Sequence, residues 1–174
     1  MRKVTYGAAC SADMFITGPD GKVDWILWCD EAMAVMSEFW SKIDTVVSGR
    51  KTHEFARSQS TGEMSLPGVK SYVCSRTMPA GRDGDAEIVN DGVALVRDLK
   101  SRPGKDICIM GGGELAASLF DAGLIDEVGM NIHPILLGSG VPFVGRLSKP
   151  VNLQLVKSET WKNGCVLVTY AVKR

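Results

Sequence analysis

The sequence lacks the features that mark several large classes of protein. Its 20 basic and 20 acidic residues cancel, and no dense run of lysine and arginine occurs, which argues against a nucleic-acid or anionic-membrane surface. No apolar run approaches the roughly 20 residues of a membrane-spanning helix. Residues 1–6 turn polar too soon for a signal peptide. We therefore predict a cytoplasmic protein that binds neither nucleic acid nor a membrane.

Cysteine and histidine are also scarce. The five cysteines are widely spaced, form no C-x-x-C pair and leave one over if paired, which fits free thiols in a reducing compartment better than a disulfide framework. The two histidines, His53 and His133, lie far apart in the sequence. Without an H-x-x-x-H motif or a Cys/His cluster, we predict no metal site. A Ser/His/Asp triad is disfavoured because no nucleophile elbow is present.

The 174 residues alternate between strand-like and helix-like patterns, which predicts one α/β domain over residues 1–174. Predicted strands cover residues 4–10, 45–48, 69–74, 86–89, 107–110 and 127–132. Predicted helices begin near Glu31 (with Met33, Met36, Trp40 and Ile43 on its apolar side), at Thr52, after Asn90-Asp91, and after Gly113. Two last strands, 153–161 and 165–172, meet at Asn163-Gly164, a strong hairpin signal. We expect a mixed, mainly parallel sheet with helices on both faces and an antiparallel pair at the end.

A turn of three glycines carries the clearest functional signal. The apolar run 106–110 stops at Gly111-Gly112-Gly113, and a helical pattern begins at Glu114. Glycine removes every Cβ from this turn, so a ligand can approach the backbone closely. The helix also presents unpaired N–H groups and the positive end of its dipole there. This pattern is typical of an anion site, most often for phosphate.

Two other predicted strands end in residues that suit phosphate. Gly49-Arg50-Lys51-Thr52 adds two cations and a hydroxyl, and Ser75-Arg76 adds a hydroxyl and a guanidinium. The carboxyl ends of parallel strands gather at one edge of an α/β sheet. Together the three strand ends suggest an extended ligand with more than one phosphate. Individually each has another interpretation: a tight turn, an ordinary helix start or a polar loop.

A standard dinucleotide-binding fold does not account for the glycine turn. Gly111, Gly113 and Ala116 fit the G-x-G-x-x-A fingerprint, but they follow a late strand rather than the first. The acidic pair Asp126-Glu127 also comes sooner than the roughly 20 residues expected for a ribose-binding carboxylate. We therefore disfavour a Rossmann domain.

The chain resembles the dihydrofolate reductase-like superfamily, in the branch of the C-terminal reductase domain of bacterial riboflavin biosynthesis (RibD C-terminal-like). The matching segments are 46–52, 73–76, 109–115, 124–128 and 133–143, and in order they cover nearly the whole chain. The resemblance implies a three-layer αβα sandwich with a C-terminal antiparallel strand pair, NADPH as cofactor, and a homodimer. It also implies reduction of a small heteroaromatic or imine-type substrate, either pterin-like or like 5-amino-6-ribosylamino-uracil phosphate.

The resemblance assigns the cofactor site residue by residue. It implies that the nicotinamide lies near Ala8, Ala9 and Ile16, and that the 2′-phosphate is held by Ser75 and Arg76. The pyrophosphate and adenosine phosphate are expected to lie along Gly49, Arg50, Lys51 and Thr52. The segment expected to donate backbone N–H groups to the pyrophosphate consists of Met110, Gly111, Gly112, Gly113, Glu114 and Leu115. Ser75 and Arg76 would then select NADPH over NADH.

The substrate side of the site departs from the family pattern. Members commonly have Ser-x-Asp-Gly after the first strand, whereas this chain has Asp13 followed by Met14. A bulky side chain there is expected to reshape the pocket beside the nicotinamide. Hydride addition to a C=N bond also requires a proton donor, for which Asp13, Asp30 and Glu31 are the candidates. The alternative for Asp30 is a helix cap.

Three functions stay open from the sequence. The first is the NADPH-dependent reductase. The second is a nucleotide-binding module without turnover, which is favoured by Met14 in place of glycine and by the lack of a clear proton donor. The third is a structural or interaction protein in which the glycine turn only packs. Binding of NADPH separates the third from the first two, and substrate-dependent turnover separates the first from the second.

Overall fold

The computed structural model describes residues 1–59 and 68–173. Its helices are α1 (Asp30–Ser41), α2 (Arg50–Gln59), α3 (Gly92–Ser101) and α4 (Gly113–Asp121). Its strands are β1 (Val4–Ser11), β2 (Phe15–Thr17), β3 (Ile43–Gly49), β4 (Lys70–Cys74), β5 (Gly81–Asp83), β6 (Ala86–Val89), β7 (Asp106–Gly111), β8 (Glu127–His133), β9 (Val141–Pro142), β10 (Leu153–Thr160) and β11 (Val166–Val172). Every element predicted from the sequence is present.

Nine of the described strands form one mixed sheet in the order β10-β11-β8-β1-β7-β3-β4-β6-β5. The six central strands, from β8 to β6, run parallel to one another. At the ends of the sheet β5 pairs antiparallel with β6, β11 with β8, and β10 with β11. The predicted mainly parallel sheet with a C-terminal antiparallel pair is confirmed. Because the central strands are parallel, their carboxyl ends share one edge.

Helices cover both faces of this sheet. On one face α3 and α4 bury Val96 and Leu119 against Tyr6 and Ile109 of the central strands, in the main apolar core. On the other face Trp40 of α1 packs against a smaller cluster around β3 and β7. The layers are therefore helix, sheet, helix, as expected for the αβα sandwich. No helix in the described ranges is long and apolar enough to cross a membrane.

The boundaries differ from the prediction at a few places. Ile43 was expected on the apolar side of the first helix, but α1 ends at Ser41 and Ile43 begins β3, where it is buried. Its spacing from Trp40 fits a helix, so periodicity alone extended the helix too far. The short strands β2, β5 and β9 were not predicted because two or three residues show no periodicity. Gly123 follows α4 with φ +66°, as expected for a helix-ending glycine.

Candidate active site at the carboxyl ends of the strands

The carboxyl ends of β3 and β7 lie in van der Waals contact. A Cβ added to Gly49 would lie 3.3 Å from the backbone nitrogen of Gly112 and 3.7 Å from the carbonyl oxygen of Gly111, so the missing side chain permits this close approach. Thr52, in the first turn of α2, has its Oγ1 3.5 Å from the Cβ positions of both Gly111 and Gly112. Two of the three predicted strand ends therefore form one continuous surface.

No side chain caps the start of α4. Its N-cap residue is Gly112, with φ −84° and ψ 179°. By contrast, α3 begins behind Asp91, whose carboxylate accepts a hydrogen bond from the N–H of Ala94 at 2.9 Å. Gly111 completes the turn with φ +110°, a conformation that favours glycine. A helix start that no side chain caps can bind an anion with its free N–H groups.

The end of β4 reaches the same edge through α3 and α4. A Cβ added to Gly92, the first residue of α3, would lie 2.8 Å from Cys74 Sγ and 3.0 Å from Leu115 Cδ1. Cys74 is the last residue of β4, and Leu115 lies in the first turn of α4. The next residues after β4, Ser75 and Arg76, therefore stand on the edge that carries the glycine turn.

A hydrogen-bonded loop follows β4. Ser75 is buried, and its Oγ accepts hydrogen bonds from the N–H groups of Met78 at 3.0 Å and Thr77 at 3.3 Å. The amide of Asn90 donates to the carbonyl oxygens of Ser75 at 2.7 Å and Met78 at 2.8 Å. This loop holds Arg76 exposed at its tip. The sequence pattern placed Asn90 only directly before a helix, and its hydrogen bonds to this loop were missed.

Three cations line the edge. Arg50 begins α2 and its Nη1 lies 3.3 Å from Glu54 Oε1, with 41% of its side chain exposed. Lys51 and Arg76 are exposed, and in the described part of the chain neither forms an ion pair. Glu114 is also exposed, in the first turn of α4, so its predicted contact with a phosphate uses the backbone N–H. The edge thus offers guanidinium and ammonium groups without rearrangement of the core.

Asp13 ties the loop after β1 to a distant segment. Its carboxylate accepts hydrogen bonds from Ser11 Oγ at 2.6 Å and from the N–H groups of Leu137 at 3.1 Å and Gly138 at 2.7 Å. The hydrogen bond from Ser11, with those from Leu137 and Gly138, lowers the pKa of Asp13 below its ordinary value. A carboxylate held in its charged form suits a structural tie better than a proton donor.

Met14 adopts the conformation for which the family pattern has glycine. Its φ is +65°, in the left-handed region. The backbone is fixed on both sides, because the Met14 N–H donates to the Ser11 carbonyl at 2.9 Å and its carbonyl accepts from the N–H of Phe143 at 2.8 Å. The side chain is 36% exposed. Met14 therefore places a partly exposed side chain where the family pattern has none.

Residues 134–145 connect this loop to the glycine turn. Phe15 of β2 pairs with Pro142 of β9, and the N–H of Gly145 donates to the carbonyl of Gly113 at 3.0 Å. A Cβ on Gly113 would lie 2.9 Å from both Gly145 N and Pro142 O. The third glycine of the turn is thus required for packing against this segment, whereas the first two face β3 and α2.

The remaining cofactor candidates lie in or beside the same strands. Ala8 and Ala9 are half-buried in β1, and Ile16 of β2 packs on the main core together with Ala8. Met110 is half-buried on the opposite face, against the cluster that α1 covers. These side chains leave β1 lined by methyl groups, which is compatible with a flat ring lying against the strand.

The other two candidate acids begin α1. Asp30 is exposed and Glu31 is half-buried. The cap of this helix is Cys29, whose Sγ accepts from the N–H of Ala32 at 3.4 Å, so the alternative role of Asp30 as the cap is wrong. The cap lies one residue earlier, at Cys29, because a cysteine sulfur can act as a weak hydrogen-bond acceptor. Neither carboxylate is hydrogen-bonded to Asp13 within the described ranges.

A buried histidine at the end of β8 was missed by the sequence analysis. His133 is fully buried, and its Nδ1 lies 3.2 Å from the N–H of Leu27 and 3.3 Å from Cys165 Sγ. The indole of Trp25 meets the ring edge-on, with 5.4 Å between centroids. Burial lowers the pKa of His133. No local pattern could have revealed these contacts, which join residues far apart in the chain.

The described residues hold no group of three or more His, Cys, Asp or Glu side chains suited to a metal ion.

Comparison with known proteins agrees with this geometry. A family model of the RibD C-terminal domain matches residues 2–167. The uncharacterised Bacillus subtilis (strain 168) protein YyaP is 33% identical over 97% of this chain and 94% of its own length. A Shewanella sp. PV-4 protein, provisionally assigned to riboflavin biosynthesis, superposes with a TM-score of 0.79 at 28% identity and covers 99% of both chains.

The fold itself extends further. Dihydrofolate reductase from Enterococcus faecalis, solved with NADP(H), superposes with a TM-score of 0.73 at 18% identity, over 99% of this chain and 97% of that one. At this identity the likeness concerns the fold. The chain therefore belongs to the RibD C-terminal domain family and has the dihydrofolate reductase-like fold.

Proposed function

We propose that this protein is an NADPH-dependent reductase of a small heteroaromatic or imine-type substrate, pterin-like or like 5-amino-6-ribosylamino-uracil phosphate. Membership of a family of reductase domains supports the reaction class. The observation that carries the proposal is the shared edge at which Gly49, Thr52 and Gly112 come together before the uncapped start of α4. Such a surface binds a pyrophosphate through backbone N–H groups and a hydroxyl.

In this proposal different cations contact different phosphate groups of NADPH. Arg50 and Lys51 begin α2 beside the glycine turn and would contact the pyrophosphate side. Arg76, at the tip of the loop after β4, would hold the 2′-phosphate that distinguishes NADPH from NADH. A guanidinium binds phosphate oxygens in pairs. Ser75 contributes by shaping this loop, since its hydroxyl already accepts two backbone hydrogen bonds.

Titration of the purified protein with NADPH and NADH, followed by tryptophan fluorescence, tests the cofactor site. We expect a marked preference for NADPH that Arg76→Ala removes, and a further loss of affinity for both cofactors in Arg50→Ala/Arg76→Ala. The matched control is Arg97→Ala, because Arg97 is an exposed arginine of α3 beside Lys100 and Gly123, away from this edge. Unchanged NADPH affinity in the double variant would show that the edge is not the cofactor site.

Glu31 is the proposed proton donor. It is half-buried at the start of α1, and within the described ranges it makes no hydrogen bond or ion pair. Asp13 is held as a carboxylate by its three donors, and Asp30 is exposed. We expect Glu31→Gln to lower the turnover rate without changing NADPH affinity. Asp30→Asn is the control, and an equal loss in both variants would contradict the assignment.

A binding module without turnover is the second candidate. It is favoured by one observation, the lowered pKa of Asp13, which removes one of the three candidate acids. Stopped-flow oxidation of bound NADPH with a panel of pterins, pyrimidines and quinones separates the two candidates. Oxidation that depends on a substrate supports the reductase, and no oxidation above background across the panel supports the binding module.

We also propose a homodimer formed through the C-terminal strands. The outer strand β10 is exposed along most of its length, including Leu155 (56% exposed) and Val156 (59% exposed). An exposed apolar edge strand is a template for pairing with another chain. Analytical ultracentrifugation should show a dimer that Leu155→Lys/Val156→Lys dissociates. A wild-type monomer at micromolar concentration would refute it.

A further inference from the structure

The contacts of His133 determine which of its nitrogens carries the proton. The backbone N–H of Leu27 can only donate, and it points at Nδ1 from 3.2 Å. Cys165 Sγ lies 3.3 Å from the same nitrogen, and burial raises the pKa of that thiol, so it is protonated and can donate as well. Nδ1 is therefore an acceptor. Because burial also lowers the pKa of the ring, His133 is neutral and its proton is on Nε2.

This protonation state fixes the orientation of Asn131. The structure places Asn131 Nδ2 3.2 Å from Nε2 of His133 and leaves the buried Oδ1 of Asn131 without a partner. An Nε2–H requires an acceptor, which only the amide oxygen supplies. We therefore infer that the amide is turned by 180°, since its nitrogen and oxygen differ only in their hydrogen bonds. The turn brings Oδ1 to Nε2–H and puts the NH₂ group at the buried position where the oxygen has no partner. The imidazole thereby orients the NH₂ group of Asn131 into that buried position.

An unpaired donor flanks the same ring. Trp25 Nε1 is buried and has no hydrogen-bond partner in the described part of the chain. Its indole lies edge-on to His133. Buried polar groups are almost always paired, so the unpaired indole N–H and the unsatisfied amide of Asn131 beside one imidazole indicate a partner that the chain does not supply.

The position of this cluster connects it to the proposed active site. Asn131 pairs with Ala9 across the parallel β1–β8 ladder, and His133 pairs with Ser11. Paired residues of parallel strands point to the same face of the sheet. Asn131 thus shares a face with Ala9, near which the nicotinamide is expected. A substrate ring beside the nicotinamide would lie within reach of that face.

We propose that Asn131 and Trp25 are the substrate-recognition donors of this site, and that His133 is the positioning residue that orients Asn131. They select a heteroaromatic ring that presents carbonyl oxygens or ring nitrogens as acceptors, as a pteridinedione or a pyrimidinedione does, over one that presents amino groups. This inference rests on the proposed function for the place of the ring, and it names the chemistry of the ring. An ordered water is the other possible acceptor, and the test separates the two.

The test compares two ligands with one ring frame, pteridine-2,4-dione and 2,4-diaminopteridine. Their affinities are measured by calorimetry, with and without NADPH, for the wild type, Trp25→Phe and Asn131→Asp. Trp25→Phe keeps an aromatic ring beside His133 and removes the N–H. Asn131→Asp keeps an oxygen for Nε2–H and replaces the donor by an acceptor. Trp161→Phe is the matched control, since Trp161 is a buried tryptophan near Cys165 that is not among the unpaired groups.

The wild type should bind the dione at least tenfold more tightly than the diamine. Trp25→Phe should weaken binding of the dione about fivefold, the usual worth of one hydrogen bond, and leave the diamine unchanged. Asn131→Asp should reverse the preference, which a merely structural role would not do. Histidine ¹⁵N spectra of the wild type should show the proton on Nε2.

Equal affinities for the two ligands in the wild type, or a preference unaffected by Trp25→Phe and Asn131→Asp, would overturn the inference and leave water as the acceptor. The proposed function fails separately, if NADPH does not bind. Discrimination between the dione and the diamine without any NADPH binding would support the recognition donors while rejecting the reductase.

Discussion

Replacement of Met14 by glycine and by alanine provides a sharp test of the loop geometry. At φ +65° a residue with a Cβ costs about 1–2 kcal/mol relative to glycine. The loop cannot relax easily, because Ser11 and Phe143 fix the backbone of Met14 from both sides. Glycine loses more backbone entropy on folding, which offsets about 0.5–1 kcal/mol of this gain. Both variants lose most of the methionine side chain, so their difference isolates the backbone.

We expect Met14→Gly to be more stable than Met14→Ala by about 0.75 kcal/mol, the centre of the range of up to about 1.5 kcal/mol that the difference between those two terms allows. In a domain of this size such a difference raises the thermal midpoint by about 1–4 °C. Urea unfolding measures it directly, provided that the two variants have equal m-values.

The same loop supplies a control in which glycine should lower, rather than raise, the free energy of unfolding. Ala12 is exposed and has no left-handed φ, so Ala12→Gly should lower the free energy of unfolding by about 0.5–1 kcal/mol. If Met14→Ala proves as stable as Met14→Gly, or more stable, the left-handed conformation at residue 14 is not the one that the chain adopts in solution.

Further predictions concern the 134–145 segment and the titrating groups. Gly140→Ala should unfold the protein or cost more than about 3 kcal/mol, because the new Cβ would lie 1.9 Å from Thr17 O. Gly138→Ala, with open space around its Cβ, should cost at most about 1.5 kcal/mol, the left-handed penalty less the entropy that glycine loses on folding. Urea unfolding compares the two. Because burial lowers the pKa of His133, the unfolded chain binds the extra proton, so stability should fall as the pH drops below about 6.5; His133→Gln should flatten that part of a pH–stability curve. Because its hydrogen bonds lower the pKa of Asp13, stability should fall again below about pH 4, and Asp13→Asn should flatten that acid limb.

The sequence predicted the strand ends well because their signals are local. An apolar, β-branched run that stops at glycine needs no information from elsewhere in the chain, and the runs before Gly49 and Gly111 were located by this pattern. Their mutual contact follows from the topology of parallel strands, which the alternation of strand and helix already implied. The hairpin at Asn163-Gly164 was found for the same reason.

The parts that the sequence did not reveal depend on contacts between distant residues. Asp13 was interpreted as a candidate acid because its type and place suit that role, but its partners Leu137 and Gly138 lie more than 120 residues later. Asn90 and Asp91 are neighbours with the same capping propensity, and only the folded loop shows that Asp91 caps α3 while Asn90 clamps residues 75–78. For His133 the buried environment decides the role, and burial is a property of the whole fold.

Asp13 and Met14 together explain what the family pattern at this position requires. The carboxylate of Asp13 accepts hydrogen bonds from the N–H groups of Leu137 and Gly138, and the next residue takes a left-handed φ. Glycine is the default for that conformation. This chain keeps the hydrogen bonds of Asp13 and has methionine, a residue with a Cβ, in the left-handed conformation. Strained residues of this kind persist at functional sites more often than elsewhere, so the methionine is expected to serve the pocket rather than the fold. If so, Met14→Gly should stabilise the loop relative to Met14→Ala, and both variants should change ligand affinity relative to the wild type. If the methionine side chain had no role in the pocket, the two variants would alter stability alone.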